Sequence, residues 1–112
     1  FDPKKHKGQN GKVAVIGGGD YSGAPSLAAL GAYRGGADLV HVFVPENSYD
    51  QVSSFVPELI VHKLDGKIID MGIFRELQRE NFDCVVIGPG MGKHEDSFEA
   101  VQFLIDNLNL DL

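Results

Sequence analysis

The chain has 112 residues, 43% of them hydrophobic and 23% charged, the values of an ordinary soluble domain, and no apolar run approaches the roughly 18 residues that a membrane-spanning helix needs. A formal net charge of −6 excludes nucleic acid as the main partner, because phosphate binding calls for a clustered basic surface and the one basic cluster, Lys4-Lys5-His6-Lys7, is short. No apolar segment follows that basic start, so a cytoplasmic setting is expected, and the length suits one domain or a piece of one.

Residues 1–11 are polar and read as a linker or N-terminal arm; residues 12–112 read as a single, partial α/β domain. Apolar runs at 12–16, 38–44 and 83–87 read as strands, and the longer stretches between them have helical spacing. That alternation predicts a mostly parallel sheet with crossover helices, the strands covered on both faces. Residues 24–34 (APSLAALGAYR) make a crossover helix, with Pro25 in the first turn and Gly35-Gly36 at the stop. Residues 48–53 form a helical turn and 58–62 a brief strand, in a segment interrupted by Pro57 and Gly66.

A second helix is expected over 70–80, with Ile73, Phe74 and Leu77 on its apolar face. A third is expected over 95–108, burying a stripe of Phe98, Val101, Leu104, Ile105 and Leu108. The single cysteine, Cys84, lies in an apolar run and is expected in the core; alone, it can form neither an internal disulfide nor a cysteine-based metal set. Asn109 to Leu112 read as the opening of a further strand, so the chain is expected to be a fragment of its domain.

Glycine supplies 14 of the 112 residues, and two clusters account for much of the excess. Gly17-Gly18-Gly19-Asp20-Tyr21-Ser22-Gly23 follows the first strand. It fails the dinucleotide pattern G-x-G-x-x-G, because Ser22 stands at the third glycine, and it fails the phosphate-loop pattern, because Ala24-Pro25 stand where Lys and Ser or Thr are required. A strand end running into a helix start still offers backbone N–H groups and the positive helix dipole to an anionic or polar ligand. Gly88-Pro89-Gly90-Met91-Gly92 follows the third clear strand in the same way. If the two strands are parallel neighbours, both loops open on the carboxyl edge of the sheet, where ligands bind in α/β proteins.

The four histidines, His6, His41, His62 and His94, show no ligand-like spacing, and no metal site is assigned. His41 is mid-strand and reads as a satisfied core or interface residue. Asp20 and Glu95 flank the glycine loops and read as helix-start carboxylates, with the orientation of a ribose hydroxyl or of water around a magnesium-nucleotide as the alternative role.

In order and spacing, these motifs resemble the start of the ribokinase-like domain of the ADP- or ATP-dependent NAD(P)H-hydrate dehydratases, archaeal members above all. The resemblance runs through His6-Lys7-Gly8, Gly11-Lys12-Val13, the stretch VIGGGDYSGAPSLAAL, Arg34-Gly35-Gly36-Ala37, Pro57-Glu58-Leu59-Ile60-Val61, and Val86-Ile87-Gly88-Pro89-Gly90-Met91-Gly92. It implies the N-terminal half of a three-layer ribokinase-like domain. It also implies a coenzyme-repair reaction in which hydrated NADH or NADPH (NADHX, NADPHX) is phosphorylated by ATP or ADP with Mg2+ and then loses the phosphate.

On this resemblance Tyr21, Gly23, Ala24, Gly88, Gly90 and Gly92 line the substrate pocket by fit and backbone hydrogen bonding. The remainder of the domain and a homo-oligomer are the expected partners. Family members carry their catalytic base, in a G-x-G-D motif, and most of the nucleotide site further along than this sequence extends, so no catalytic residue is assigned and the segment alone is expected to be inactive. The alternatives are a small-molecule kinase of the same fold and a non-catalytic nucleotide-binding half-domain, with a Rossmann oxidoreductase third.

Overall fold

A computed structural model describes residues 11–79 and 81–107. Four strands, β1 (Lys12–Ile16), β2 (Leu39–Pro45), β3 (Ile60–Leu64) and β4 (Cys84–Ile87), form one sheet in the order β3-β2-β1-β4, with every pairing parallel. The helices are α1 (Gly23–Arg34), α2 (Glu46–Ser53), α3 (Ile73–Leu77) and α4 (Glu95–Asn107). The expected arm lies outside the described residues apart from Gly11, as do Leu108 and the expected further strand at the C-terminal end.

The strand order explains the layers. Right-handed crossovers carry β1 through α1 to β2 and through α2 to β3 in one direction across the sheet, so both helices land on one face. The chain then returns to the far side of β1, and α3 and α4 land on the other. The core splits accordingly: Val15, Val40, Val42 and Val44 pack with Ala29 and Val52, while Ala14, Ile16 and Phe43 pack with Ile73, Leu77, Ala100 and Leu104.

β4 departs from the expectation. It is an edge strand of the described sheet, and α1 packs mainly over β1 and β2. Val85 and Ile87 pack against the α3/α4 core, whereas the alternate residues Cys84 and Val86 face the side that α1 and α2 leave open, and Cys84 is exposed rather than buried.

The stripe on α4 is also rotated. Ser97, Ala100 and Leu104 are the residues buried, Val101 is partly buried, and Phe98 and Ile105 point outward, 60% and 67% exposed. The small residues Ser97 and Ala100 let the helix sit close, and Ser97 Oγ donates a buried 2.6 Å hydrogen bond to the carbonyl of Ile69. α3 is shorter than expected because Asp70 Oδ1 accepts from the Gly72 N–H at 2.9 Å, a local turn that competes with helix before Ile73.

His41 is 4% exposed and belongs to the core. Its Nδ1 lies 2.8 Å from Nε2 of His62 on the neighbouring strand, Phe43 stacks on His62 with centroids 4.5 Å apart, and the Phe82 ring meets Phe43 edge-on. Phe43 is the centre of this aromatic group and 2% exposed. Phe43→Ala is expected to cost about 3–5 kcal/mol through lost burial and a residual cavity, read as a lower denaturation midpoint at unchanged slope.

Candidate functional site

β1 pairs with β2 on one side and with β4 on the other, so the chain reverses its direction of winding between β1 and β4. This is the topological switch point of the sheet, the position where an open α/β fold leaves a crevice beyond its strand ends. Both glycine loops stand there, the first running from β1 into α1 and the second from β4 towards α4.

The loops are fastened to each other backbone to backbone. Gly18 N–H donates to the Pro89 carbonyl at 2.8 Å and Tyr21 N–H to the Gly90 carbonyl at 3.0 Å, while Gly88 N–H donates to the Ile16 carbonyl at 3.1 Å. Such contact requires bare backbone. A Cβ on Gly17 would collide with the Pro89 carbonyl oxygen, and one on Gly90, which also holds φ at +74°, would collide with that of Tyr21.

The first loop is held from below by α2. Gly19 N–H donates to Ser48 Oγ at 2.9 Å, Ser22 Oγ lies 3.0 Å from the same oxygen, and Asn47 Nδ2 donates to the Gly19 carbonyl at 2.7 Å. Ser48 is fully buried. Neither Asn47 nor Ser48 stands out in the sequence, because a first-turn Asn-Ser pair after a strand is ordinary; only the approach of α2 to the first loop gives them a role.

The expected convergence of free N–H groups on a ligand is therefore corrected. The N–H groups of Gly17, Gly18, Gly19 and Tyr21 are committed to Phe43, Pro89, Ser48 and Gly90. What the first loop still presents is the opening turn of α1, where Gly23 and Ala24 carry N–H groups without intrahelical acceptors. Beyond its chain neighbours and the backbone of α1 itself, no atom lies within 4 Å of a Cβ added to Gly23, so packing against the rest of the described chain does not demand a glycine there. The Tyr21 ring is exposed, and a hollow of about 360 Å³ opens beside Gly23 between α1 and α2, floored by Leu27 and Phe55.

Of the six expected lining residues, Tyr21 thus sits on the first loop with Gly23 and Ala24 in the opening turn of α1 that follows it, and Gly88, Gly90 and Gly92 sit on the second loop, the two loops in direct contact. Gly88, at φ +127°, has open space where a Cβ would stand. Asp20 does not complement the dipole of α1, which carries no acidic residue in its first turn; its Oδ1 lies 2.7 Å from Nε2 of His94. Glu95 does stand in the first turn of α4, beside Asp96. Among the described residues no three His, Cys, Asp or Glu side chains converge as a metal site, and no helix is long and apolar enough to cross a membrane.

A doubly wound sheet with glycine loops at its switch point is the architecture of ribokinase-like proteins. A ribokinase-like superfamily protein of Enterococcus faecalis superposes with a TM-score of 0.77 at 21% identity, over 97% of this chain and 37% of its own. Within that class a family model described as NAD(P)H-hydrate dehydratase matches residues 13–109, and the chain belongs to this family.

The ATP-dependent (S)-NAD(P)H-hydrate dehydratase of Physcomitrium patens is 41% identical, matched over 93% of this chain and 35% of its own length. The bifunctional NAD(P)H-hydrate repair enzyme of Archaeoglobus fulgidus is 44% identical over 89% of this chain and 22% of its own. The crystal structure of the ADP/ATP-dependent NAD(P)H-hydrate dehydratase of Bacillus subtilis, co-crystallized with ATP/Mg2+, has a TM-score of 0.72 at 29% identity, covering 95% of this chain and 37% of that one. The chain spans about a third of the length of the plant relatives.

Ser48→Ala removes the acceptor of the Gly19 N–H and is expected to destabilise the protein by about 1–2 kcal/mol, measured by chemical denaturation, because the donor is left part-buried and unpaired.

Proposed function

We propose that this chain supplies the substrate-side wall of a nucleotide-dependent NAD(P)H-hydrate dehydratase, with Tyr21, Gly23, Ala24, Gly88, Gly90 and Gly92 facing the hydrated coenzyme. The observation that carries this reading is the mutual fastening of the two glycine loops at the switch point, which makes a wall of backbone rather than side chains. The names of the relatives supply the substrate class.

In the reaction, ATP or ADP with Mg2+ provides the phosphoryl group that turns the ring hydroxyl of NADHX or NADPHX into a leaving group. Elimination of phosphate, with loss of one ring proton, restores the dihydronicotinamide. The residues of this chain fit binding rather than that chemistry. The six lining residues contribute shape and main-chain groups. Proton transfer and nucleotide binding are assigned to the remainder of the domain, which is also the partner for the open edge of β4 and for the outward-facing Phe98 and Ile105. A homo-oligomer in the cytoplasm completes the reading; the lone cysteine suits a reducing compartment.

The test is recovery of dihydronicotinamide absorbance when the full-length protein is given NADHX with ATP or ADP and Mg2+; no recovery with either nucleotide overturns the reading. Gly23→Ala probes the wall itself. Beyond its chain neighbours and the backbone of α1, the added methyl meets nothing in the free chain, so stability is expected to hold or rise by about 0.4–1 kcal/mol. Against a packed coenzyme the same methyl is expected to raise KM by about tenfold. An unchanged KM would remove Gly23 from the substrate wall.

A further inference from the structure

The Asp20–His94 pair joins the two loops at a point that the backbone fastening does not reach. His94 Nε2 donates to Asp20 Oδ1 at 2.7 Å, and the other carboxylate oxygen rests where a Cβ on Gly92 would stand, so a bare Gly92 is what lets the carboxylate come so close. The two ends of this contact are held differently. The carbonyl of His94 accepts the Phe98 N–H at 3.0 Å, the first turn of α4, and α4 is anchored in the core through Ser97 and Leu104. Asp20 stands in the loop itself, one residue before Tyr21.

Both side chains are more than a third exposed, 36% for His94 and 38% for Asp20, so the pair adds little to global stability. Its consequence is local. With Asp20 held through its side chain and Tyr21 through its N–H to Gly90, two adjacent residues of the first loop are fixed to the second, and the exposed Tyr21 ring is directed from a rigid base.

We infer that Asp20 and His94 form a latch that transfers the rigidity of α4 to the first glycine loop and so positions Tyr21 for substrate. Both are positioning residues, and the inference rests on the reading of the two loops as the substrate wall. The latch sets how well the coenzyme is held, not the rate of the chemical steps.

The test uses the full-length protein and four variants: Asp20→Ala, His94→Ala, the double alanine variant and Asp20→Asn. Each single alanine variant is expected to raise KM for NADHX by about threefold to tenfold, with kcat within about twofold and thermal stability nearly unchanged, the scale of one exposed charge-assisted hydrogen bond. The double variant is expected to be no worse than the worse single one, since the second change removes a contact already lost. Asp20→Asn keeps an oxygen acceptor and is expected to recover most of the wild-type KM.

Amide hydrogen exchange at Tyr21, followed without substrate, is expected to accelerate at least about threefold in both single variants. Effects on KM that multiply in the double variant, a fall in kcat at constant KM, or unchanged Tyr21 exchange would each overturn the latch. If the wild-type protein fails to restore NADH from NADHX, the proposed function falls, and the exchange measurement alone then decides the latch: faster exchange in the variants supports it and unchanged exchange overturns it.

Discussion

Two main-chain hydrogen bonds, from Gly18 to Pro89 and from Tyr21 to Gly90, are the constraint on which the site depends. They continue the parallel pairing of β1 and β4 beyond the ends of the strands, into segments that would otherwise diverge into separate helices. Main chains approach this closely only where Cβ atoms are missing, at Gly17 and Gly90 in particular, and the cost is conformational freedom that glycine loses on folding. The sheet meets that cost: β1 is flanked by a strand on either side and its inner residues, Ala14 to Ile16, are fully buried, so the start of the first loop has nowhere else to go.

The doubly wound order follows from chirality acting on a parallel sheet. Two right-handed crossovers in one direction and a return to the other side of β1 divide the helices between faces and put the switch point between β1 and β4. α2 then serves two roles. Val52 seals one half of the core, while Asn47 and Ser48 at its start hold the first loop. The site is thereby built from elements that also carry the fold, so its precision comes from packed helices and strands rather than from the loops themselves.

The surfaces left open are as informative as those that are closed. Cys84 and Val86 on β4, with Phe98 and Ile105 on α4, are apolar residues without cover in a chain that spans about a third of its plant relatives. Exposed apolar side chains of this kind are surfaces that no described segment covers. On α4 the buried set, Ser97, Ala100 and Leu104, differs from the apolar stripe that periodicity predicts. Periodicity detects that Phe98 and Ile105 are apolar, but it cannot distinguish a side chain buried against this sheet from one facing a different neighbour.

The sequence by itself determined the class of fold. Alternating apolar runs and helical stretches specified a parallel α/β sheet, β1 to the residue, the extent of α1 to within one residue, and the two glycine loops after strands. It also determined the family, because the order and spacing of IGGGDYSGAP and GPGMG are specific in a way that neither loop is alone. Tertiary structure alone decided which groups meet: that β1 and β4 are neighbours, that the loop N–H groups are spent on each other, that Ser48 supports Gly19, and that Asp20 faces His94 rather than a helix dipole. Periodicity and turn chemistry are local properties written within a few residues, whereas a contact between residues 20 and 94 exists only once the sheet has brought two strand ends together.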